Sequence, residues 1–214
     1  MFTGIVQAVG RITRRQPEGE MLRLHVATGT LERERLALGD SVAVSGVCLT
    51  LVGLDERQVQ VQVSMETLRQ TTLGGLTEGA AVNLEPALTL ATPLGGHLMS
   101  GHVDGVAEVR NRGTEAACTR LRLAAPEPLA RYLCARGSVG IDGVSLTVCE
   151  VRGNEFELNL IPHTLTHTTL GRLQPGDRAN LEVDLLARYV ERLLQGNHEP
   201  FPMGHEPEAM PGKG

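Results

Sequence analysis

Aromatic side chains are nearly absent from this chain of 214 residues, which holds three Phe, two Tyr and no Trp. So few flat rings exclude the stacked aromatic platforms on which single-strand nucleic-acid binders lay out bases. Basic charge is short as well. A net charge of −5, with Lys and Arg scattered, leaves no positive stripe to neutralise a phosphate backbone, so no nucleic-acid partner is expected. No apolar run approaches the ~20 residues of a membrane-spanning helix. The opening Met1-Phe2-Thr3-Gly4-Ile5-Val6 lacks a basic leader ahead of an apolar core, so neither a membrane nor an export signal is expected. The four cysteines, Cys48, Cys118, Cys134 and Cys149, form no C-x-x-C pair, which argues against a disulfide scaffold or a zinc ribbon. The expected compartment is the reducing cytoplasm.

What the chain does have is a copy of itself. Gly4, Gly46, Thr50, Thr67, Leu73, Asn83 and Glu85 each recur 97 positions later, as Gly101, Gly143, Thr147, Thr164, Leu170, Asn180 and Glu182. A constant offset means no net insertion or deletion between matched segments, so two units of roughly 90 to 100 residues share one topology. The expected division is 1–97, 98–184, a helix over 185–195 and a disordered tail over 196–214, the last because Pro and Gly crowd it.

Short β-branched runs bounded by Gly read as strands: Gly4 to Ile12, Leu22 to Ala27, Ser41 to Leu51, Gln58 to Ser64 and Ala80 to Leu84, then Gly101 to Val109, Thr119 to Leu123, Ser138 to Val151, Glu155 to Ile161 and Arg178 to Val183. Five or six strands per unit argue for a small closed barrel, because an open sheet of that size leaves edges exposed. Short helical turns open at Met65 and Pro162, and Pro128 to Ala135 carries Leu129, Tyr132 and Leu133 at helical spacing, with Leu31 to Leu36 as its counterpart. Beyond the repeat, Leu185, Leu186, Tyr189, Val190, Leu193 and Leu194 form a stripe that suits subunit association or, alternatively, packing on its own barrel.

Chemistry concentrates in two places. Strand alternation sets Gly46, Cys48 and Thr50 on one face, and Gly143, Ser145 and Thr147 repeat the arrangement, giving each half polar groups beside a glycine. Half-buried hydroxyls that merely bond their neighbours give the same pattern. The segment Gly95 to Gly105 places His102 and Asp104 on one face of an opening strand, and His moves protons near neutral pH. His97 reads as a structural residue of the linker. His163 and His167 sit at i, i+4 without a third ligand, so no metal is expected.

The opening Met1 to Val6, the strand Gly46 to Thr50, the segment Gly96-His97-Leu98-Met99-Ser100-Gly101-His102 and the run Gly140 to Thr147 together resemble the riboflavin synthase family, alpha chain, over roughly residues 1 to 190. The resemblance implies an all-β fold of two tandem six-stranded Greek-key barrels and a C-terminal helix joining three chains into a homotrimer. It implies a transferase, without cofactor or metal, that dismutates two molecules of 6,7-dimethyl-8-ribityllumazine per site. One molecule donates a four-carbon unit to the other, yielding riboflavin and 5-amino-6-(D-ribitylamino)uracil, the last step of riboflavin biosynthesis. The shared site would lie between the first barrel of one chain and the second of the next, so that His102 of one subunit meets Cys48 of another. Lumazine synthase is a further partner it raises.

Site residues follow from the same resemblance. His102 is the candidate for proton transfer and Cys48 a polar contact or nucleophile, with Ser41 and Asp184 assisting ribityl or proton steps. Substrate contacts fall on Phe2, Thr3, Gly4, Ile5 and Val6, on Leu49 and Thr50, and on Gln62, Val63, Ser64, Met65, Glu66 and Thr67. In the second half they fall on Gly101, His102 and Val103, on Arg136, Ser145, Leu146 and Thr147, and on Ile161, Pro162, His163, Thr164, Leu165 and Thr166. Arg136 stands where the family often has Lys, and His163 where an acid is common. Related duplicated-barrel proteins hold lumazine or flavin without turning it over, which makes a binding protein the rival reading. A flavin-dependent reductase would need a nucleotide-binding domain with a Gly-rich βα turn, and none follows the second unit.

Overall fold

A computed structural model describes residues 1–32, 36–115 and 117–196. The first half forms β1 (Ala8–Glu18), β2 (Met21–Ala27), β3 (Ser41–Val44), β4 (Val47–Leu54), β5 (Gln58–Ser64), α1 (Met65–Gln70) and β6 (Ala81–Pro86). The second forms β7 (Gly105–Glu115), β8 (Cys118–Ala124), β9 (Ser138–Ile141), β10 (Val144–Arg152), β11 (Glu155–Leu160), α2 (Pro162–His167) and β12 (Arg178–Val183), followed by α3 (Leu185–Gln195). Every element of the first half starts 97 residues before its counterpart. Both sheets close into antiparallel six-stranded barrels with the same order, β1-β2-β5-β4-β3-β6 and its equivalent. Among the described residues no helix is long and apolar enough to cross a membrane.

Alternation fills the barrels. Leu22, Leu24 and Val26 of β2 and Val59, Val61 and Val63 of β5 point inward, while Arg23, His25 and Gln60 stay outside. Phe156, Leu158 and Leu160 do the same in the second barrel. Register shifts at matched places, beside Ile12 and Leu51 and again beside Val109 and Val148, mark bulges that tighten the strands enough to close so small a barrel.

Three sequence expectations are corrected. The run Ser41 to Leu51 is two strands joined by the two-residue turn Ser45-Gly46, both with positive φ (45° and 80°), and Asp142-Gly143 repeats it (45° and 78°). The run Pro128 to Ala135 is a 3-10 helix, Glu127–Tyr132, rather than an α-helix. Its counterpart Leu31 to Leu36 includes residues 33–35, and the tail from 197 onward likewise lies outside the described residues. Third, strands do not begin at Gly4 or Gly101. Both glycines have positive φ, 74° and 79°, and the segments around them leave their own barrels.

Those segments are exchanged arms. Gly101 O accepts from Cys48 N of the first barrel, and Gly4 O from Ser145 N of the second, each at 2.8 Å. Val103 packs against the first core and Val6 against the second. Each arm is fastened by a buried glutamate: Glu85 accepts from Thr3 N, Thr3 Oγ1 and Gly4 N, and Glu182 from Ser100 N, Ser100 Oγ and Gly101 N. Burial pushes both carboxyls up in pKa, against the hydrogen bonds they accept. The two turns meet on a pseudo-twofold axis, where a Cβ on Gly46 would fall 2.7 Å from Gly143 N. Asn83 Nδ2 donates to Asp142 O and Asn180 Nδ2 to Ser45 O, each at 2.8 Å, which locks the barrels together.

Candidate active site

The turn Ser45-Gly46 delivers Cys48 on β4 to the barrel surface, facing α1. Ser64 caps α1 by accepting from Thr67 N at 3.1 Å, which fixes the helix against β5. Glu66, Thr67, Gln70 and Thr71 then share one helical face by their i, i+4 spacing. The arm Gly101–Val103 closes the remaining side. The result is an open pocket of about 260 Å³ lined by Val47, Cys48, Glu66, Thr67, Gln70, Thr71, Gly101, His102 and Val103. That approaches the lower end of small-molecule sites, roughly 300 Å³. A crevice at Arg122 and Glu157 admits only about 10 Å³, too little for a heterocycle.

Charge in the pocket is distributed unevenly. Glu66 accepts from Arg69 (2.6 Å) and Gln70 (2.5 Å), and the Arg69 hydrogen bond holds its carboxyl below the usual range, so it is anionic at neutral pH. The His102 main chain is held by Ser100 Oγ at 3.1 Å while its residue stays exposed. At the matched place in the second barrel stand Val144, Ser145, His163, Thr164, His167 and Thr168, with the arm Gly4–Val6. The His163 and His167 rings stack with centroids 4.0 Å apart. Among the described residues no cluster of three metal-ligating side chains forms. Ser145 Oγ lies 2.7 Å from His97 Nδ1.

A family model for the lumazine binding domain matches residues 3–87 and again 100–184. Riboflavin synthase of Photobacterium phosphoreum is 44% identical over 194 residues, covering 91% of this chain and 89% of that one. The chain belongs to the riboflavin synthase family. The enzyme of Brucella abortus (strain 2308) is 46% identical over 202 residues, at 91% and 98% coverage. Among solved structures, LumP complexed with 6,7-dimethyl-8-(1'-D-ribityl) lumazine superposes with a TM-score of 0.77 at 27% identity, covering 86% of this chain and 99% of that one. LumP complexed with riboflavin gives 0.78 at 29%, with the same coverage.

Within this family fold, the structure brings Cys48, Glu66, Thr67, Gly101, His102 and Val103 into one pocket of one chain. That corrects the expectation that Cys48 and His102 meet across subunits: the exchanged arm carries His102 onto the Cys48 barrel. His102 and Asp104 also do not share a strand face. His102 is exposed, whereas the Asp104 side chain is 1% exposed and paired with Arg188 of α3. The Leu49 and Val63 side chains point into the first core, because alternation turns them inward. Leu146 and Leu165 pack against the second core, and Phe2 is buried with Ala43 and Met99. Thr3 is spent on Glu85, and Gln62 donates to Glu18 at 3.0 Å.

Ser64 acts as a helix cap beside exposed Met65. Ser41 lies opposite Thr50, and Ser138 opposite Thr147, at the outer ends of their hairpins. Ile161 and Pro162 start α2 exposed, and the Thr166 hydroxyl turns back to Pro162 O at 3.1 Å. Arg136 has φ 68° and donates its N–H to Val148 O, as Gly39 does to Leu51 O in the first half. Asp184 caps α3 by accepting from Leu186 N. Sequence reasoning missed Val47, Gln70 and Thr71. The last two were legible as the i+4 neighbours of Glu66 and Thr67.

Proposed function

We propose that the protein catalyses the riboflavin synthase reaction, dismutating two molecules of 6,7-dimethyl-8-ribityllumazine to riboflavin and 5-amino-6-(D-ribitylamino)uracil. The observation that carries this reading is the single pocket holding an exposed imidazole, a free thiol and an anionic carboxylate on His102, Cys48 and Glu66. The 7-methyl protons of the lumazine are acidic because the anion delocalises into the heterocycle, so His102 is placed to move them. Glu66, at the mouth, suits the ribityl hydroxyls. Holding two rings in register supplies much of the remaining rate, as in other well-oriented bimolecular reactions.

One chain offers its two pockets on different barrels, so a face-to-face pair of rings calls for a second chain. Helix α3 supports a homotrimer. Its polar side is fastened to its own barrel by Arg188 to Asp104, Glu191 to Tyr132, and Glu191 to Arg131 at 3.0 Å. Leu186, Val190, Leu193 and Leu194 are left 54–81% exposed on the other side, a stripe that a second copy covers. Four free cysteines suit a reducing cytoplasm. Association with lumazine synthase rests on the resemblance alone.

Incubating the pure protein with the lumazine alone tests the reading. One riboflavin should form for every two lumazines consumed. Tight binding without riboflavin formation would leave a lumazine-binding protein in place of an enzyme. His102→Gln should lower kcat by on the order of 10²-fold or more with little change in binding. Mixing His102→Gln chains with Ser145→Ala chains should restore activity if sites are shared, whereas Cys48→Ala with His102→Gln should not, since both lie in one pocket.

A further inference from the structure

The arm on the second barrel carries no imidazole at the place of His102, since Ile5 stands there, and His163 and His167 stack on each other on α2. The linker between the barrels makes good the difference. His97 lies between the two matched units, 3–87 and 100–184. Its Nδ1 lies 2.7 Å from Ser145 Oγ, and Ser145 is the residue matched to Cys48. The seat is tightly formed: a Cβ on Gly96 would fall 2.2 Å from Thr3 O and 2.7 Å from Ser145 Oγ. His97 Nε2 is buried without a hydrogen-bond partner. Burial lowers the His97 pKa, while the charge of Asp184 acts the other way. The ring is therefore neutral at pH 7, and Asp184 favours its protonated form when a proton arrives.

We propose that Ser145 and His97 form a second proton-transfer pair, serving the substrate held in the second barrel. This rests on the dismutation reading. Ser145 touches the substrate; His97 is a positioning residue that acts through it. In the step, a substrate C–H bond breaks and its electron pair passes into the heterocycle. The proton goes to Ser145 Oγ, whose own proton passes to Nδ1 of His97. Reversal returns both. The segment between the barrels thus sets an imidazole on each hairpin, His102 by the Cys48 thiol and His97 by the Ser145 hydroxyl.

The deciding variant is His97→Asn, whose amide reproduces the Nδ1 hydrogen bond and keeps the linker seated but takes up no proton. The pair requires kcat to fall on the order of 10²-fold while KM and lumazine affinity, read by fluorescence titration, change less than about threefold. Ser145→Ala should lose a similar factor, and the double variant little more than either alone, because the two act as a unit. Full kcat in His97→Asn, losses that multiply in the double variant, or a rise in KM at unchanged kcat would each overturn the pair. Wild type assayed alongside separates this from the underlying reading. Should wild type form no riboflavin, the dismutation itself fails; should wild type turn over and His97→Asn match it, only the pair does.

Discussion

Replacing Asp142 with Asn should stabilise the protein, and only above acidic pH. Asp142 is 7% exposed in the turn between β9 and β10, on the pseudo-twofold axis. Its Oδ1 accepts from Asn180 N at 2.8 Å, and the first barrel puts Ser45 in the same place. Burial pushes its pKa from 3.8 to about 7, the Asn180 hydrogen bond opposing. Because the folded pKa lies above the unfolded one, folding carries no charge cost below about pH 4. The cost grows as pH rises to about 7 and is constant beyond. Across that gap, at about 1.4 kcal/mol per pH unit, it reaches about 4 kcal/mol. Asn keeps the acceptor and tolerates the positive φ of 45°. Its unplaced N–H donors reduce the gain by about 1 kcal/mol. Urea denaturation of both proteins from pH 4 to pH 8.5 should show a gap that opens with pH to about 3 kcal/mol in favour of Asn, or roughly 10 °C in Tm. A gap that does not vary with pH, or a wild type more stable at pH 8, would refute the reasoning.

Glu85→Ala strips the acceptor from three buried donors of Thr3 and Gly4 and should cost about 3 to 5 kcal/mol in denaturant titration. Ligand titration should show weaker binding at the second pocket, which that arm lines. Gly46→Ala drives a Cβ to 2.7 Å from Gly143 N at a φ of 80° and should cost at least about 2 kcal/mol, visible as a lower Tm. Val190→Glu places a charge in the exposed stripe of α3 and should leave single chains in sedimentation while far-UV circular dichroism keeps the barrel signal.

Which features the sequence shows depends on whether their cause is local. Alternation on β2 and β5 and the apolar stripe of α3 are written in neighbouring residues, and the matched glycines display the duplication directly. The exchanged arms are not, because the alternation of Gly4 to Ile12 runs on without a visible break. The positive φ values of Gly4 and Gly101 and their hydrogen bonds to the other barrel separate arm from strand. Cys48, Glu66 and His102 carry the first pocket and are legible as residue types, yet their meeting within one chain depends on that exchange. His97 and Ser145 stand 48 residues apart, and no spacing rule pairs them. Asp142-Gly143 announces its turn, but not that the turn is buried where the two barrels meet.

The traded arms also bear on how such a chain could arise. A first half made alone would present Phe2–Val6 with nothing to receive it and a Cys48 amide with no carbonyl opposite. Two copies swapping those stretches would answer both needs at once, each Gly4 standing in for Gly101. Joining such a symmetric pair by a linker turns it into a single polypeptide with the same contacts. Its twin barrels are then free to diverge, one carrying sulfur at Cys48 and the other oxygen at Ser145.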